Sequence, residues 1–319
     1  MFSLIIPVYR NEQSIPRLLD AIAQIRSRIE GGFEAVFVVD GSPDYSSREL
    51  ACRLPEYGFQ ACLVDLSRNF GSFAAIRAGL EMASGDHFAV MAADLQEPPE
   101  LIVRFHQRLQ AGDVDVVVGV RRGRSDPWLT RLLSGMFWRA YRKLVMPEIP
   151  PGGVDIFAFN RAVRDQLLAM REARSSLVAQ LFWLGFRRVG VEYERLPRLE
   201  GKSAWGFRRK LDYLLDSLFA FSDLPIRLLV GLGMLSLAGA LILTVVAMVS
   251  RLIGIIDVPG YTATLIVLLG FGGLNALGLG IVGIYAWRAY ENTKGRALSV
   301  IRSHEVFRGR EAPGTEESM

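Results

Sequence analysis

Polar and charged side chains follow directly after five apolar runs in the first half of this 319-residue chain. The runs occupy residues 3–8, 35–39, 61–66, 88–91 and 115–120. The side chains that follow them include Asp40, Asp94 and Arg121. Carboxylates accept hydrogen bonds from hydroxyl groups and bind hard cations, and arginine pairs bidentately with phosphate oxygens. Turns are also rich in polar residues, so each residue alone is more often a turn residue than a ligand.

The elements that must position these side chains are short strands and helices in alternation. Between the first two runs, apolar residues recur at helical spacing, with Ser14 as a plausible N-cap. They are Ile15, Leu18, Leu19, Ile22, Ile25 and Ile29. The βαβα order predicts a mainly parallel sheet, in which the ligand crevice lies at the carboxyl ends of the strands.

Two long apolar stretches occupy the last third of the chain. Residues 228–250 and 258–287 contain no charged side chain, and each is long enough to cross the hydrocarbon core of a bilayer, about 30 Å. The alternative is a pair of central helices in a large soluble protein. Little sequence follows to bury such helices, which favours two membrane spans.

Basic residues on both outer flanks of these stretches predict their orientation. They are Arg208, Arg209, Lys210 and Arg227 before the first stretch, and Arg288, Lys294, Arg296 and Arg302 after the second. The loop between them carries only Arg251 and Asp257. The positive-inside rule therefore places both termini in the cytosol. The apolar run at residues 2–8 has neither a basic leader nor a small-residue cleavage site, so we expect no signal peptide.

Two amphipathic segments, 128–141 and one that begins near Ser203, lie before the spans. Each could lie in the lipid headgroup plane or pack against the globular domain. We expect the polar residues after Arg308 to be disordered. The formal net charge of +4 suits anionic lipid headgroups better than nucleic acid.

The cysteines and histidines indicate no chemistry of their own. Cys52 and Cys62 are the only cysteines, and a reducing cytosol would keep them as thiols. The three histidines, His87, His106 and His304, are predicted to lie at the surface.

Four short motifs, in order along the chain, resemble those of family 2 glycosyltransferases. They read IIPVY at 5–9, VDGSPD at 39–44, LSRNFG at 66–71 and ADLQEPPE at 93–100. In particular they resemble the polyisoprenyl-phosphate glycosyltransferases, which include dolichol-phosphate mannose synthase and bacterial enzymes with two C-terminal membrane helices. The resemblance extends over residues 2–296.

The resemblance implies a GT-A fold, an α/β Rossmann-like domain with a mainly parallel sheet. This cytosolic domain would occupy residues 1–200, followed by an amphipathic juxtamembrane helix at 201–225, two transmembrane helices at 226–290 and a cytosolic tail at 291–319. The implied reaction is the inverting transfer of a sugar from a nucleotide-sugar, preferably a UDP-hexose, to a polyisoprenyl phosphate such as undecaprenyl phosphate. It would take place at the cytosolic face of a bacterial inner membrane.

The resemblance also assigns site residues. Catalytic roles fall to Asp94, Arg121 and Lys202; nucleotide contacts to Pro7, Tyr9, Glu12, Asp40, Ala92 and Ala93; and the lipid phosphate to Arg131 and Ser134. Asp94 and Gln96 would hold Mg²⁺ or Mn²⁺, since oxygen ligands suit these hard cations. A phosphate monoester has a second pKa of about 6, so this acceptor needs no catalytic histidine as a base.

The chain departs from the family pattern at several positions. Where the family usually has Asp-x-Asp, this chain has Ala92 and Asp94, and Val39 replaces the first acidic residue of Asp-Asp-Gly-Ser. We therefore expect a cation held mostly by Asp94, Gln96, water and the diphosphate of the nucleotide, so that its binding depends on the nucleotide. Arg10 interrupts a motif that many relatives read as Tyr-Asn-Glu. Asp155 is either a displaced carboxylate of the Gly-Asp-Phe-Arg motif or a turn residue.

Other functions use the same kind of domain. A processive polysaccharide synthase would carry a Gln-x-x-Arg-Trp motif, which this sequence lacks. A transferase to diacylglycerol or ceramide, and a non-catalytic membrane scaffold that binds a nucleotide-sugar or a partner transferase, remain open. Six glycines of the second span could pack against another helix, in a homo-oligomer or within one chain. They are Gly270, Gly272, Gly273, Gly278, Gly280 and Gly283.

Overall fold

The computed structural model describes residues 1–122, 135, 138–139, 141–143, 145–172, 175–196, 207–253 and 260–309. Its strands are β1 (Phe2–Val8), β2 (Phe33–Val39), β3 (Gln60–Leu66), β4 (His87–Val90), β5 (Val116–Arg121), β6 (Phe157–Asn160), β7 (Arg188–Tyr193) and β8 (Ile301–Phe307). Its helices are α1 (Ile15–Arg28), α2 (Ser46–Arg53), α3 (Ser72–Met82), α4 (Pro99–Gln110), α5 (Arg161–Ala169), α6 (Leu177–Trp183), α7 (Phe207–Phe221), α8 (Leu224–Leu252) and α9 (Tyr261–Thr293).

One sheet contains all eight strands, in the order β7-β5-β6-β4-β1-β2-β3-β8. The strands β4, β1, β2 and β3 run parallel to one another, and β5 runs parallel to β7. Among the described strands, β6 is antiparallel to β4 and β5, and β8 is antiparallel to β3. The sequence prediction of a mainly parallel sheet with five early strands is confirmed. The carboxyl ends of β1, β2 and β3 are in register, because Val8 pairs with Val39 and Val39 with Asp65.

Helices cover both faces of the sheet, which explains why its central strands are apolar throughout. The buried apolar stripe of α1, including Leu18 and Ile22, packs with that of α4 on one face. Residues of α3 and α5 pack on the other, where the guanidinium of Arg77 donates to the backbone carbonyl of Leu167 at 2.7 Å.

Of two local predictions, one was correct in position only and the other was wrong. Ser14 occupies the N-cap position of α1, as predicted, but its side chain makes no capping hydrogen bond; its hydroxyl donates to the carbonyls of Asn11 at 3.0 Å and Ala93 at 3.2 Å. His106 is not a surface residue, because only 5% of it is exposed and its ring packs against that of Phe2 at 4.7 Å. Because histidine is polar, its position on the apolar face of α4 was not recognised from the sequence as a buried one.

The strand β8 was also missed, since residues 291–319 were predicted to be a tail. Most of its side chains are exposed, so it lacks the apolar pattern that predicts a strand. It nevertheless pairs with the edge of β3. Because β8 follows the two long apolar helices, it returns the chain to the sheet from which the chain departed. This agrees with an even number of membrane crossings between the two parts of the sheet.

The helices α8 and α9 match the two predicted spans. Both are long and apolar enough to cross a membrane, and the windows Leu224–Leu243 and Gly270–Thr293 are not buried by other parts of the structure. Apolar side chains such as Leu235 and Leu241 lie exposed on their surface, as lipid contact requires. Gly278 allows close packing within the chain, since a Cβ atom there would lie 3.3 Å from Leu229.

The helix α7 packs against the globular domain. Its residues Leu214, Leu218 and Phe221 pack against the apolar cluster that also contains residues of α3 and α5. On another side, Asp216 accepts a hydrogen bond from Arg288 of α9 at 2.6 Å. The helix therefore connects the sheet domain to the second apolar helix. Of the two positions considered for this amphipathic segment, packing against the globular domain is favoured over the lipid headgroup plane for the face that carries Leu214, Leu218 and Phe221.

Candidate functional site

The loops after β1 and β2 form one hydrogen-bonded unit around the predicted nucleotide-binding residues. The amide of Arg10 donates to the hydroxyl of Ser42 at 2.8 Å. Glu12 accepts from the amide of Tyr45 at 3.2 Å, and its own amide donates to Asp44 at 3.2 Å. Arg10 adopts a left-handed conformation, with φ of 57°, which accommodates the extra residue in the motif. Tyr9 and Glu12 are thereby held beside the end of β2.

Asp40 is buried and holds the loop that leads into α3. Its two carboxylate oxygens accept hydrogen bonds from the amides of Phe70 at 2.7 Å and Gly71 at 2.9 Å. Burial raises the pKa of this carboxyl, and the two amides and the nearby Arg68 only partly offset that effect. The structure thus gives Asp40 a structural role. Its contact with the nucleotide stays a prediction, as does that of Pro7 within β1.

The turn after β4 contains the predicted cation ligands. The amide of Gln96 donates to the carboxylate of Asp94 at 3.4 Å, so the two lie in one turn. The side-chain oxygen of Gln96 accepts a hydrogen bond from Arg195, which follows β7. Within the described residues, no three acidic, histidine or cysteine side chains converge as metal ligands do. Ala92 and Ala93 add no ligand side chain.

Glu97 is a buried carboxyl beside this turn. Only 1% of it is exposed, and one of its oxygens has no hydrogen-bond partner among the described residues. Burial, followed by the charge of Asp94, raises its pKa to about 7, although Arg195 and Arg121 act in the opposite direction. Two carboxyls and two arginines therefore meet at the ends of β4, β5 and β7.

Arg121 is the last residue of β5 and lines a cavity of about 400 Å³. Its guanidinium forms an ion pair with Asp155, which favours the displaced carboxylate over a simple turn residue. We call this space the arginine cavity. Among the described residues, its lining consists of Arg121, Gly135, Trp138, Arg139, Arg142, Pro151 and Gly152. The concentration of guanidinium groups makes it suitable for a phosphate.

A second cavity, of about 380 Å³, lies at the carboxyl ends of β2 and β3. We call it the strand-end cavity. Its lining consists of Val39, Gly41, Ser42, Asp44, Tyr45, Ser47, Arg48, Ala51, Asp65, Leu66, Ser67, Arg68 and Arg302. The carboxylate of Asp44 is satisfied by the hydroxyl of Ser42 at 2.6 Å and the amide of Ser46 at 3.2 Å. Burial opposes them, but these hydrogen bonds lower the pKa of Asp44.

Three predicted site residues, Lys202, Arg131 and Ser134, lie outside the described residues. The structure brings the others to the carboxyl edge of the sheet.

Sequence reasoning missed several side chains that the fold adds to the site. They are Asp65, Glu97, Arg139, Arg142, Arg195 and Arg302. Glu97 belongs to a quoted motif and could have been found there. Arg195 and Arg302 required the prediction of β7 and β8, whose mostly exposed or half-buried side chains give a weak strand signal.

Comparison with known proteins identifies the family. Residues 3–170 match the profile of Glycosyl transferase family 2. An uncharacterized glycosyltransferase of Synechocystis sp. is 31% identical, over 94% of each chain. An undecaprenyl-phosphate 4-deoxy-4-formamido-L-arabinose transferase of Aeromonas hydrophila is 28% identical, over 100% of this chain and 97% of its own length. A bactoprenol glucosyl transferase of Shigella phage SfX is 28% identical, over 95% of this chain and 99% of its own.

The fold also matches a solved structure, a mannosyltransferase from Pyrobaculum calidifontis in complex with GDP-Man and Mn²⁺. The TM-score is 0.50 at 19% identity, over 91% of this chain and 84% of that one. This likeness concerns the fold alone and agrees with the expected GT-A architecture. Because the family profile covers more than half of the chain and the Synechocystis relative nearly all of it, the chain belongs to glycosyltransferase family 2.

Proposed function

We propose that this glycosyltransferase passes a sugar from a nucleotide-sugar to a polyisoprenyl phosphate such as undecaprenyl phosphate. The observation that carries the proposal is the arginine cavity, in which Arg121, Arg139 and Arg142 surround one space at the active edge of the sheet. The names of the Aeromonas and phage relatives, which act on undecaprenyl phosphate and bactoprenol, support this class of acceptor. The two apolar helices would keep the domain at the membrane that contains such a lipid.

The residues of the chain would act by position and charge. The lipid phosphate is already anionic near neutral pH, so it can attack the anomeric carbon in line without a general base, which inverts that carbon. Arg121, held by Asp155, would contact the phosphates from the arginine cavity. Arg195 and Lys202 would add positive charge where the nucleoside diphosphate departs. The resemblance favours a UDP-hexose as the nucleotide-sugar.

A divalent cation fits this site only in part. Asp94 and Gln96 offer the oxygen ligands that Mg²⁺ or Mn²⁺ prefers, but the oxygen of Gln96 already accepts from Arg195. We infer a cation that these two residues hold weakly and that the diphosphate holds strongly. When bound, it would neutralise charge on the departing diphosphate. Calorimetry with Mn²⁺ should show binding only when UDP is present. Tight binding to the protein without nucleotide would contradict this inference.

The proposed location is a bacterial inner membrane, with two spans and with the sheet domain and both termini in the cytosol. The return of β8 to the sheet supports placing residues 1–200 and 301–307 on the same side. The predicted cytosolic tail at 291–319 is then divided: the residues between α9 and β8 form a linker, and β8 belongs to the sheet domain. Cysteine labelling on both sides of closed vesicles would test this arrangement.

The alternative, a non-catalytic scaffold that binds a nucleotide-sugar or a partner transferase, has one observation in its favour: the acidic motifs are depleted at Val39 and Ala92. Transfer of labelled sugar from a panel of nucleotide-sugars to undecaprenyl phosphate, by membranes that contain the protein, separates the two. Radioactive lipid product from any one nucleotide-sugar supports the enzyme. Nucleotide binding without transfer from every member of the panel supports the scaffold.

A further inference from the structure

The C-terminal half of α7 is held against α9 by an ion pair and by ring contacts. The guanidinium of Arg288 donates to the carboxylate of Asp216 at 2.6 Å and to the backbone carbonyl of Asp216 at 3.3 Å. The same guanidinium lies over the ring of Phe219, 5.3 Å from its centre, and the ring of Tyr285 meets that ring edge-on at 5.4 Å. The hydroxyl of Tyr285 donates to the carbonyl of Ser222 at 3.5 Å. We call these five residues the α7–α9 contact.

The ion pair in this contact joins two separate helices and is partly shielded from water. The side chain of Arg288 is 14% exposed and that of Asp216 is 38% exposed. A nearby pair, Asp223 and Arg227, is 64% and 76% exposed and lies within successive turns at the start of α8. Exposed pairs of this kind contribute little, whereas shielded charges interact more strongly. The Asp216–Arg288 pair can therefore fix the position of α7 relative to α9, which the Asp223–Arg227 pair cannot do.

Helix α7 also contacts the part of the sheet domain that supports the arginine cavity. Its apolar residues pack against a buried cluster that contains Tyr141, with Trp138 packed against the same cluster. Trp138 lines the arginine cavity together with Arg139 and Arg142. The position of the arginine cavity relative to the apolar helix α9 therefore depends on α7.

The chain connections between the sheet domain and the apolar helices limit distance but do not fix orientation. Residues 222–223 join α7 to α8, and residues 294–300 join α9 to β8. A few linking residues can absorb large changes in φ and ψ, so such connections can act as hinges. The side chains of the α7–α9 contact oppose this rotation. They therefore determine the angle at which the sheet domain stands on the two apolar helices.

Resting on the proposed function, we propose that Asp216 and Arg288 are positioning residues for the lipid acceptor, because their contact holds the arginine cavity at the height of a phosphate embedded in the bilayer surface. The hydrocarbon chain of undecaprenyl phosphate fixes the depth of its phosphate, so this acceptor requires the cavity at one height. A short, water-soluble polyisoprenyl phosphate reaches the cavity from water at any angle of the domain. The α7–α9 contact should therefore affect only the membrane-embedded acceptor.

The test uses the full-length protein in lipid vesicles, with undecaprenyl phosphate in the bilayer or geranyl phosphate added from water. Asp216→Ala and Arg288→Ala should each raise the KM for undecaprenyl phosphate about tenfold, because fewer molecules hold the cavity at the required height. The KM for geranyl phosphate and the UDP affinity should change less than about twofold. Arg288→Lys should lie between Arg288→Ala and the parent chain, since lysine keeps the charge without the planar fork.

Two further variants serve as controls. The double variant Asp216→Ala/Arg288→Ala should raise the KM for undecaprenyl phosphate no further than Arg288→Ala alone, because either single change already breaks the ion pair. Arg227→Ala removes the exposed guanidinium of the neighbouring pair and should leave both KM values unchanged.

The outcomes separate this proposal from the proposed function. An equal loss of transfer with both acceptors, or an unchanged KM for undecaprenyl phosphate in Asp216→Ala and Arg288→Ala, would overturn the positioning role while transfer by the parent chain stands. Transfer by the parent chain to neither acceptor would instead defeat the proposed function, and this proposal with it.

Discussion

The two cavities of the site are built in different ways. In the strand-end cavity, carboxylates are fixed by short hydrogen bonds to serine hydroxyls, such as Ser42 to Asp44 at 2.6 Å and Ser47 to Asp65 at 2.8 Å. In the arginine cavity, Arg139 and Arg142 donate to backbone carbonyls only four or five residues away, at 3.3 and 3.4 Å. Within the described part of the chain, neither of them has an ion-pair partner.

This difference indicates different ligands. In the strand-end cavity, the fixed carboxylates of Asp44 and Asp65 lie among three arginines and balance most of their charge. The arginine cavity carries positive charge that few neighbours neutralise, which is the way a site accepts an anion. Arg121 stands apart from Arg139 and Arg142 because Asp155 fixes its guanidinium.

Among the variants that distinguish the two cavities, replacement of Arg121 should change the rate of sugar transfer most. Arg121→Ala should lower the rate of sugar transfer at least 100-fold, roughly 3 kcal/mol, because the fixed cation that orients the attacking lipid phosphate is lost. UDP affinity should change less than about threefold, since we assign the departing diphosphate to Arg195 and Lys202. Initial rates and calorimetry measure the two effects. Arg108→Ala, which removes an exposed arginine paired with Asp113, is the control. If the transfer rate and the UDP affinity fell by the same factor, the two cavities would bind the same ligand, and the proposed division between them would be wrong.

Next in size is the effect of a methyl group at Gly41. This glycine has φ of 54°, and a Cβ atom there would lie 2.2 Å from the backbone of Arg68. Gly41→Ala should therefore displace the loop that lines the strand-end cavity, lower stability by roughly 2–3 kcal/mol and weaken UDP binding. Thermal unfolding with and without UDP measures both.

Gly112→Ala is the matched control for this prediction, since Gly112 has φ of 73° and open space around it. It should cost about 1 kcal/mol through backbone strain and leave UDP binding unchanged. If both variants lost the same stability and bound UDP equally well, the close contact between the two loops would be refuted.

The arginine pair at the other cavity should show a smaller and more selective effect. Arg139→Ala and Arg142→Ala should each raise the KM for the lipid phosphate about tenfold, because each removes a charged hydrogen bond worth roughly 1.5 kcal/mol. UDP affinity should stay constant. Steady-state kinetics with varied lipid phosphate measures this. If the KM for the nucleotide-sugar rose and the KM for the lipid phosphate did not, the assignment of these arginines to the lipid phosphate would be wrong.

The smallest effect lies outside both cavities, at His106. Burial, together with the positive charges of His87 and the N-terminus, lowers the pKa of His106 to about 4, whereas the unfolded chain has a value near 6.5. The unfolded state therefore takes up a proton first as pH falls. Stability is fully present above about pH 6.5 and should decline by roughly 1–2 kcal/mol between pH 6.5 and 5.

Thermal unfolding of the detergent-solubilised protein at pH 7.5 and 5 tests this, with His106→Leu as the variant that should lose part of the acid sensitivity. His304→Leu, on the exposed strand β8, should keep it. An unchanged pH dependence in His106→Leu would show that other groups cause the acid instability.

The two halves of the site also differ in how far the sequence predicts them. The ends of β1, β2 and β4 follow apolar runs, so Tyr9, Asp40 and Asp94 could be placed at one edge by the rule for parallel sheets. The contribution of β8 could not be predicted, because an exposed edge strand has no buried face to impose a pattern. Likewise, the burial of Glu97 depends on the packing of β5 and β7 around it, which is a tertiary effect.

The most direct test of sugar transfer to a lipid phosphate compares two acceptors that differ only in that phosphate. The purified protein in lipid vesicles would receive labelled UDP-hexoses with either undecaprenyl phosphate or undecaprenol, and the lipid products would be counted. The account predicts labelled product with undecaprenyl phosphate and none with undecaprenol for at least one UDP-hexose. Equal labelling of both lipids, or UDP binding without labelling of either, would contradict it.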